Sequence, residues 1–221
     1  MGNAVSQTDR RCVVLCAGPV EDAASLRPLL RPDDYILAAD AGVRLAQRLG
    51  VQPAAVIADF DSAADFDAAA PDAAGETVVR LPVHKDVTDT AAAVDHGRRQ
   101  GYRDFLLLGG TGGRLDHEYA NLLLVVQLAQ QGCRAMLADE RNRIQAVCRS
   151  PVAPEPVPGW SLSLFAFGGA VEGLSIAGAE YTLENYRLLP ADPLCVSNTA
   201  LEGCTIRFTS GTLLLYRSRD V

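Results

Sequence analysis

Four prolines in the ten residues 150–159 (SPVAPEPVPG) rule out a helix interior or a central strand there, because both need the N–H that proline lacks. The stretch divides the chain into two lengths with different patterns. Before it, short apolar runs alternate with helix-like segments. The runs at 12–17, 35–39, 54–59, 77–81, 105–109 and 134–138 read as strands, and 42–49, 89–99 and 115–130 read as helices. Each helix stops near a glycine (Gly50, Gly101, Gly132), the residue that ends helices most easily. Such alternation predicts a mostly parallel sheet with helices on both faces and ligands bound at the carboxyl ends of the strands. Beyond 159, β-type runs at 160–167, 205–210 and 212–216 are separated by glycine-rich turns. The expected fold is α/β: an N-terminal mostly parallel sheet flanked by helices (1–149), then a small all-β, sandwich-like domain (150–221). A β domain of about 70 residues closes its core poorly alone and needs the first domain or a second subunit.

The strand at 54–59 ends in the run AAVIADFDSA, which delivers Asp59 and Asp61 at spacing i, i+2. In extended chain that spacing puts both carboxylates on one face, where they repel by about 4 kcal/mol at an effective dielectric of 20. A divalent cation between them removes the repulsion, so the strand tip reads as a Mg²⁺ and phosphate site. The alternative is a solvated turn after a strand. Three further strand tips carry comparable chemistry. Asp40, in the fragment ADAG, stands where the second strand meets a helix, either as its N-cap or as a ligand contact. LPVHKDVTDT bunches His84, Lys85, Asp86, Thr88 and Asp89 ahead of the next helix, more polar chemistry than a Thr88 cap requires. GGTGGRLDH places Gly109, Gly110, Gly112 and Gly113 before Arg114 and Asp116 at a helix start. Glycine N–H groups and a helix N-terminus favour phosphate, and arginine clamps it bidentately. No Lys-Ser/Thr pair follows these glycines, so this is not a P-loop, and the dinucleotide spacing is absent too. Asp40, Asp59, Asp61, Asp89 and Asp116 all follow strands of one predicted sheet, and five carboxylates on one edge call for a divalent metal.

The net charge of −7 argues against a nucleic-acid partner, which would need a basic face, but leaves room for a metal-bridged nucleotide. Six cysteines without a CxxC pair fit small buried hydrophobes better than zinc ligands or disulfides. With no signal-like leader and no apolar run of about 18 residues, the expected location is the cytoplasm, away from membranes.

In order, ADAG, P-x-x-x-I-x-D-F-D-S (Pro53 to Ser62), K-D-x-T-D-T (Lys85 to Thr90), G-G-x-G-G-R-L-D-H (Gly109 to His117) with Asn121, Y-T-L-E-N (Tyr181 to Asn185) and Ser197-Asn198 resemble the thiamine pyrophosphokinase family. The resemblance covers most of the chain. It implies an α/β nucleotide-binding domain, a β-rich domain and a homodimer with the active site at the subunit interface. It implies transfer of a diphosphate group from ATP to the thiamine hydroxyl, giving thiamine diphosphate and AMP. Carried over, Asp59, Asp61 and Asp89 hold Mg²⁺, and Asp89 also assists loss of the hydroxyl proton. Lys85, Thr88 and Arg114 contact phosphates beside Gly110, Gly112 and Gly113, while Asp116 and Asp40 position substrate or nucleotide. Tyr181, Ser197 and Asn198 bind thiamine, the Tyr181 ring facing its cationic thiazolium. The chain departs from the family at Ala58, usually glycine, and at Ala92, usually lysine. A haloacid-dehalogenase-type phosphatase also carries D-x-D after a strand, but in its first strand and with a late acidic pair. Here DFDS follows the third. A non-catalytic thiamine- or nucleotide-binding regulator is the other alternative, and the intact carboxylates argue against it.

Overall fold

The computed structural model describes residues 10–58, 77–80 and 87–220. Asp59, Asp61 and Lys85, and the alanine-rich stretch 63–74, lie outside the described residues. The chain forms two compact units, one comprising Met1–Leu124 with Leu137–Glu140, the other Val125–Met136 with Arg141–Val221.

In the first unit, β1 (Cys12–Leu15), β2 (Tyr35–Ala39), β3 (Ala55–Ala58), β4 (Thr77–Arg80) and β5 (Asp104–Leu108) pair in the order β5-β1-β2-β3-β4, every pair parallel. β1 and β3 are buried along their whole length, which is why CVVL and AVIA read as unbroken apolar runs rather than alternating ones. β6 (Arg134–Ala138) reaches the same edge, its Ala138 carbonyl accepting from the Gly109 N–H at 3.1 Å. Three α-helices, α1 (Gly42–Leu49), α2 (Asp89–Arg99) and α3 (Leu115–Gln130), occupy the spans that the apolar spacing predicts. A 3₁₀ helix (Ala23–Leu29), capped by the Asp22 side chain, was not evident in the sequence. Helix α1 buries Val43, Leu45, Ala46 and Leu49, and each large side chain stabilises the fold by about 2 kcal/mol.

β1 is shorter than expected, and β3 begins at Ala55, one residue later than expected. β1 ends at Leu15, not at residue 17, because the chain peels away after Cys16 to cross the end of β5. Cys16 N–H donates to the Leu108 carbonyl at 2.8 Å and Gly18 N–H to the Gly109 carbonyl at 2.9 Å. Asp40 does not cap α1. The cap position is Ala41, without a side-chain bond, and Asp40 sits in the left-handed region at φ 48°.

The second unit is antiparallel. β7 (Asn142–Val147) pairs with β11 (Ser210–Ser218), β11 with β8 (Ser161–Ala179), and β8 with both β9 (Leu183–Leu188) and β10 (Ala200–Arg207). The long strand β8 corrects the expected run at 160–167. Its first half pairs with β11 and its second half with β9 and β10, with register shifts where it bends. Gly168, Gly173 and Gly178, which read as turn residues, lie inside it at positive φ and act as bulges. Leu162, Leu164, Val171, Leu174, Ile176, Leu188, Ile206, Leu213 and Leu215 form the core of this unit.

Candidate functional site

Strands β1, β2 and β5 of the first unit deliver their carboxyl ends to one cavity of about 430 Å³, a volume suited to a small-molecule ligand. Of the residues singled out from sequence, Asp40, Thr88, Asp89, Gly110, Gly113 and Arg114 line it together. They come from the tip of β2, the start of α2 and the turn between β5 and α3. Gly112 of that turn and Asp116 in the first turn of α3 are not part of the lining.

Each wall has a local cause. Thr88 is extended at φ −70° and ψ 156°, and its hydroxyl accepts from the Ala91 N–H at 3.2 Å, so it caps α2 and sets Asp89 in the first helical turn. A carboxylate there interacts favourably with the helix dipole. Replacing Thr88 with Ala is expected to cost about 1 kcal/mol of stability, measurable by urea denaturation. Gly42 explains the small residue in ADAG. A Cβ on it would stand 2.0 Å from the Leu15 carbonyl oxygen, because the first turn of α1 lies directly on the end of β1. Gly18 is equally committed, since its Cβ would meet the Gly109 oxygen at 2.4 Å. Gly110 is seated against Leu137 and Asn121, and the buried Asn121 amide donates to the Gly110 carbonyl at 2.8 Å. The glycines therefore do more than supply freedom. They let two loops and a helix approach until backbone touches backbone.

Arg114 is exposed and held by a two-pronged ion pair, Nη2 to Asp116 Oδ2 at 2.6 Å and Nε to Oδ1 at 3.2 Å. Asp116 Oδ1 also accepts from the His117 N–H at 3.0 Å. The Arg114 hydrogen bond holds the Asp116 carboxyl below the usual carboxylate range, and so ionised at neutral pH. With the two side chains 74% and 64% exposed, the pair adds little to stability, and its effect is to aim the guanidinium. Burial pushes the Cys16 thiol, also in the cavity lining, up to about 12, so it stays protonated and is not a nucleophile.

Cys16, Ala17, Gly18 and Pro19 line the cavity without having been singled out. They offer backbone rather than reactive side chains, and nothing in their residue types signals a ligand. Thr90, Thr111, His117 and Asn121, all within motifs quoted from the sequence, complete much of the wall together with Glu118, which lies outside them.

Among the described residues, no group of three or more His, Cys, Asp and Glu is close enough to hold a metal ion. The donor chemistry nonetheless suits a hard divalent cation. Asp40 and Asp89 bring carboxylates to the cavity, and the Ile57 carbonyl of β3 accepts from the Asp40 N–H at 2.9 Å.

In the second unit, Asn198 is buried and its side chain is fully committed. Its Nδ2 donates to the Tyr181 carbonyl at 2.7 Å, and its Oδ1 accepts from the N–H groups of Tyr181 at 3.0 Å and Thr199 at 2.8 Å. The Tyr181 ring stays exposed. Ser197, beside Asn198, is exposed in the left-handed region at φ 59°, with its N–H bonded to Ser163 Oγ at 3.0 Å. Asn198→Ala would leave three backbone groups without these partners and is expected to cost about 2 kcal/mol or more, read as a lower denaturation midpoint.

Comparison with known proteins gives a consistent result. The family model described as thiamin pyrophosphokinase, catalytic domain, matches residues 26–137, and that of the thiamin pyrophosphokinase vitamin B1 binding domain matches 152–213. The thiamine pyrophosphokinase of Bacillus subtilis (strain 168) is 26% identical over 183 residues, covering 82% of this chain and 86% of that protein. The crystal structure of thiamine pyrophosphokinase from Bacillus subtilis superposes with a TM-score of 0.84 at 25% identity, covering 96% of this chain and 100% of the other. That of thiamin pyrophosphokinase from Geobacillus thermodenitrificans gives 0.79 at 26% identity, covering 96% and 98%.

Proposed function

The chain belongs to the thiamin pyrophosphokinase family and is an enzyme that transfers the diphosphate group of ATP to thiamine, and we propose that it does so at the cavity of its first unit. The observation that carries this placing is the convergence of Asp40, Thr88, Asp89, Gly110, Gly113 and Arg114 on one cavity.

In this reading the glycine-rich turn and the N-terminal end of α3 receive the ATP phosphates through backbone N–H groups. Arg114, released in part from Asp116, takes a phosphate oxygen bidentately, and Lys85 and Thr88 add further contacts. Asp40 and Asp116 position nucleotide or substrate. Asp59, Asp61 and Asp89 would hold Mg²⁺, which when bound neutralises charge on the phosphates. The thiamine hydroxyl oxygen attacks the β-phosphorus and its bond to the bridging oxygen of AMP breaks. The hydroxyl proton passes to the Asp89 carboxylate. The protein's contribution is chiefly positioning and charge, as phosphoryl transfer requires. EDTA is expected to abolish AMP release and added Mg²⁺ to restore it, and full activity in EDTA would contradict the carboxylate assignment.

We further propose that thiamine is held by Tyr181 and Ser197, with Asn198 fixing the Tyr181 peptide, and that a second copy of the chain brings these residues to the nucleotide. The exposed apolar side chains of Tyr181, Leu189, Leu194, Val196 and Leu201 on the second unit support a homodimer. Light scattering is expected to give twice the chain mass, and a monomer at micromolar concentration would contradict it. None of the six cysteines forms a disulfide, which supports a reducing compartment, the cytoplasm.

A further inference from the structure

We propose that Asp139 is a positioning residue for this reaction, acting through Thr111 on the glycine-rich turn. The proposal rests on the reading of the first unit's cavity as the ATP site. Asp139 follows β6, is 8% exposed, and accepts a hydrogen bond on Oδ2 from the Thr111 hydroxyl. Thr111 lies between Gly110 and Gly113, and all three line the cavity. The turn is held at three successive residues. Gly109 N–H donates to the Ala138 carbonyl at 3.1 Å, the Gly110 carbonyl accepts from the Asn121 amide at 2.8 Å, and the Thr111 hydroxyl donates to Asp139.

Backbone and the Asn121 amide place Gly109 and Gly110. Beyond them the turn enters Gly112 at φ 80° and Gly113, positions that by residue type resist little rotation. Thr111 is the last anchored residue before that flexible pair. Its anchor is a buried carboxylate, which is costly to bury and is a weak device for stability alone. A charge-assisted bond from a hydroxyl is short and directional, and it fixes the peptide on either side of Thr111. Those peptides carry N–H groups of the turn that receives phosphate. Displacing such donors by a fraction of an ångström weakens them at the transferring group.

The test is steady-state kinetics of the Mg²⁺-loaded full chain with Thr111→Val, Thr111→Ser, Asp139→Ala and Asp139→Asn, together with binding of a non-hydrolysable ATP analogue without thiamine. Thr111→Val and Asp139→Ala are each expected to lower kcat/KM for ATP about 10-fold while leaving KM for thiamine within about two-fold. The double variant should be no worse than the poorer single one. Thr111→Ser should restore activity, and Asp139→Asn, which still presents an acceptor oxygen, should fall between. A lowered Tm with unchanged ATP kinetics in Thr111→Val would overturn the proposal, leaving Asp139 a structural residue. So would additive losses in the double variant. Should Asp139→Ala fail to fold, Thr111→Val alone decides. Arg114→Ala separates the two levels. If it weakens analogue binding and Thr111→Val does not, the Asp139 proposal fails alone. If neither does, the placing of ATP in this cavity fails with it.

Discussion

Asp89→Asn is expected to lower turnover about 10³-fold while leaving the fold intact. Asparagine keeps the volume and one oxygen, so the first turn of α2 and its Thr88 cap remain. What disappears is a negative charge at the cavity, with the proton acceptor and cation ligand it supplies in the proposed reaction. In a water-excluded site, an electrostatic contribution of this kind amounts to about 3–4 kcal/mol of transition-state stabilisation. Asp61→Asn, in the DFDS motif, is expected to behave likewise. The check is AMP release per folded enzyme, with circular dichroism and Tm run alongside. Near-normal turnover in either variant would remove that carboxylate from the catalytic group.

The second large effect is on stability. Gly42 is helical, and in an open helix Gly→Ala would stabilise by about 1 kcal/mol. Here the sign reverses. The new methyl would lie 2.0 Å from the Leu15 oxygen and 2.7 Å from its carbonyl carbon, both backbone atoms of a fully buried strand that has nowhere to go. Overpacking of this severity is expected to destabilise by about 3 kcal/mol or more. Gly132→Ala is the control. Its φ of 77° strains any side chain, but nothing stands within 4 Å, so about 1 kcal/mol is expected. Comparable losses at both positions, measured by guanidinium denaturation, would show that conformation and not collision sets the Gly42 requirement.

The parts of this molecule that were legible in the sequence share a physical feature: local pattern and tertiary environment agree. Helices α1, α2 and α3 end at glycines that all take positive φ (Gly50, Gly101, Gly132), and in α1 and α2 the apolar spacing matches the faces they bury. Strands β1 and β3 were legible because burial along their whole length leaves an uninterrupted apolar run. β8 was not, because glycines that bend a strand look the same, residue by residue, as glycines that end one. β9 was not, because four of its six residues, from Glu184 to Arg187, are polar or aromatic and only Leu188 is buried. At the site, the residues whose side chains carry their own chemistry, Asp40, Asp89 and Arg114, line one cavity. The wall made by Cys16 to Pro19 contributes mainly backbone, and Asp139 acts through a neighbour nearly thirty residues away in sequence, so neither left a local signal. Asn198 shows the converse. Its motif marks it as important, yet its side chain is spent on the Tyr181 and Thr199 peptides.

A ³¹P NMR time course of the protein with thiamine, ATP and Mg²⁺, run beside a sample without thiamine, tests the central claim most directly. The predicted result is AMP and a diphosphate ester, formed together and only when thiamine is present. ADP with a monophosphate ester, or inorganic phosphate released without thiamine, would contradict attack at the β-phosphorus.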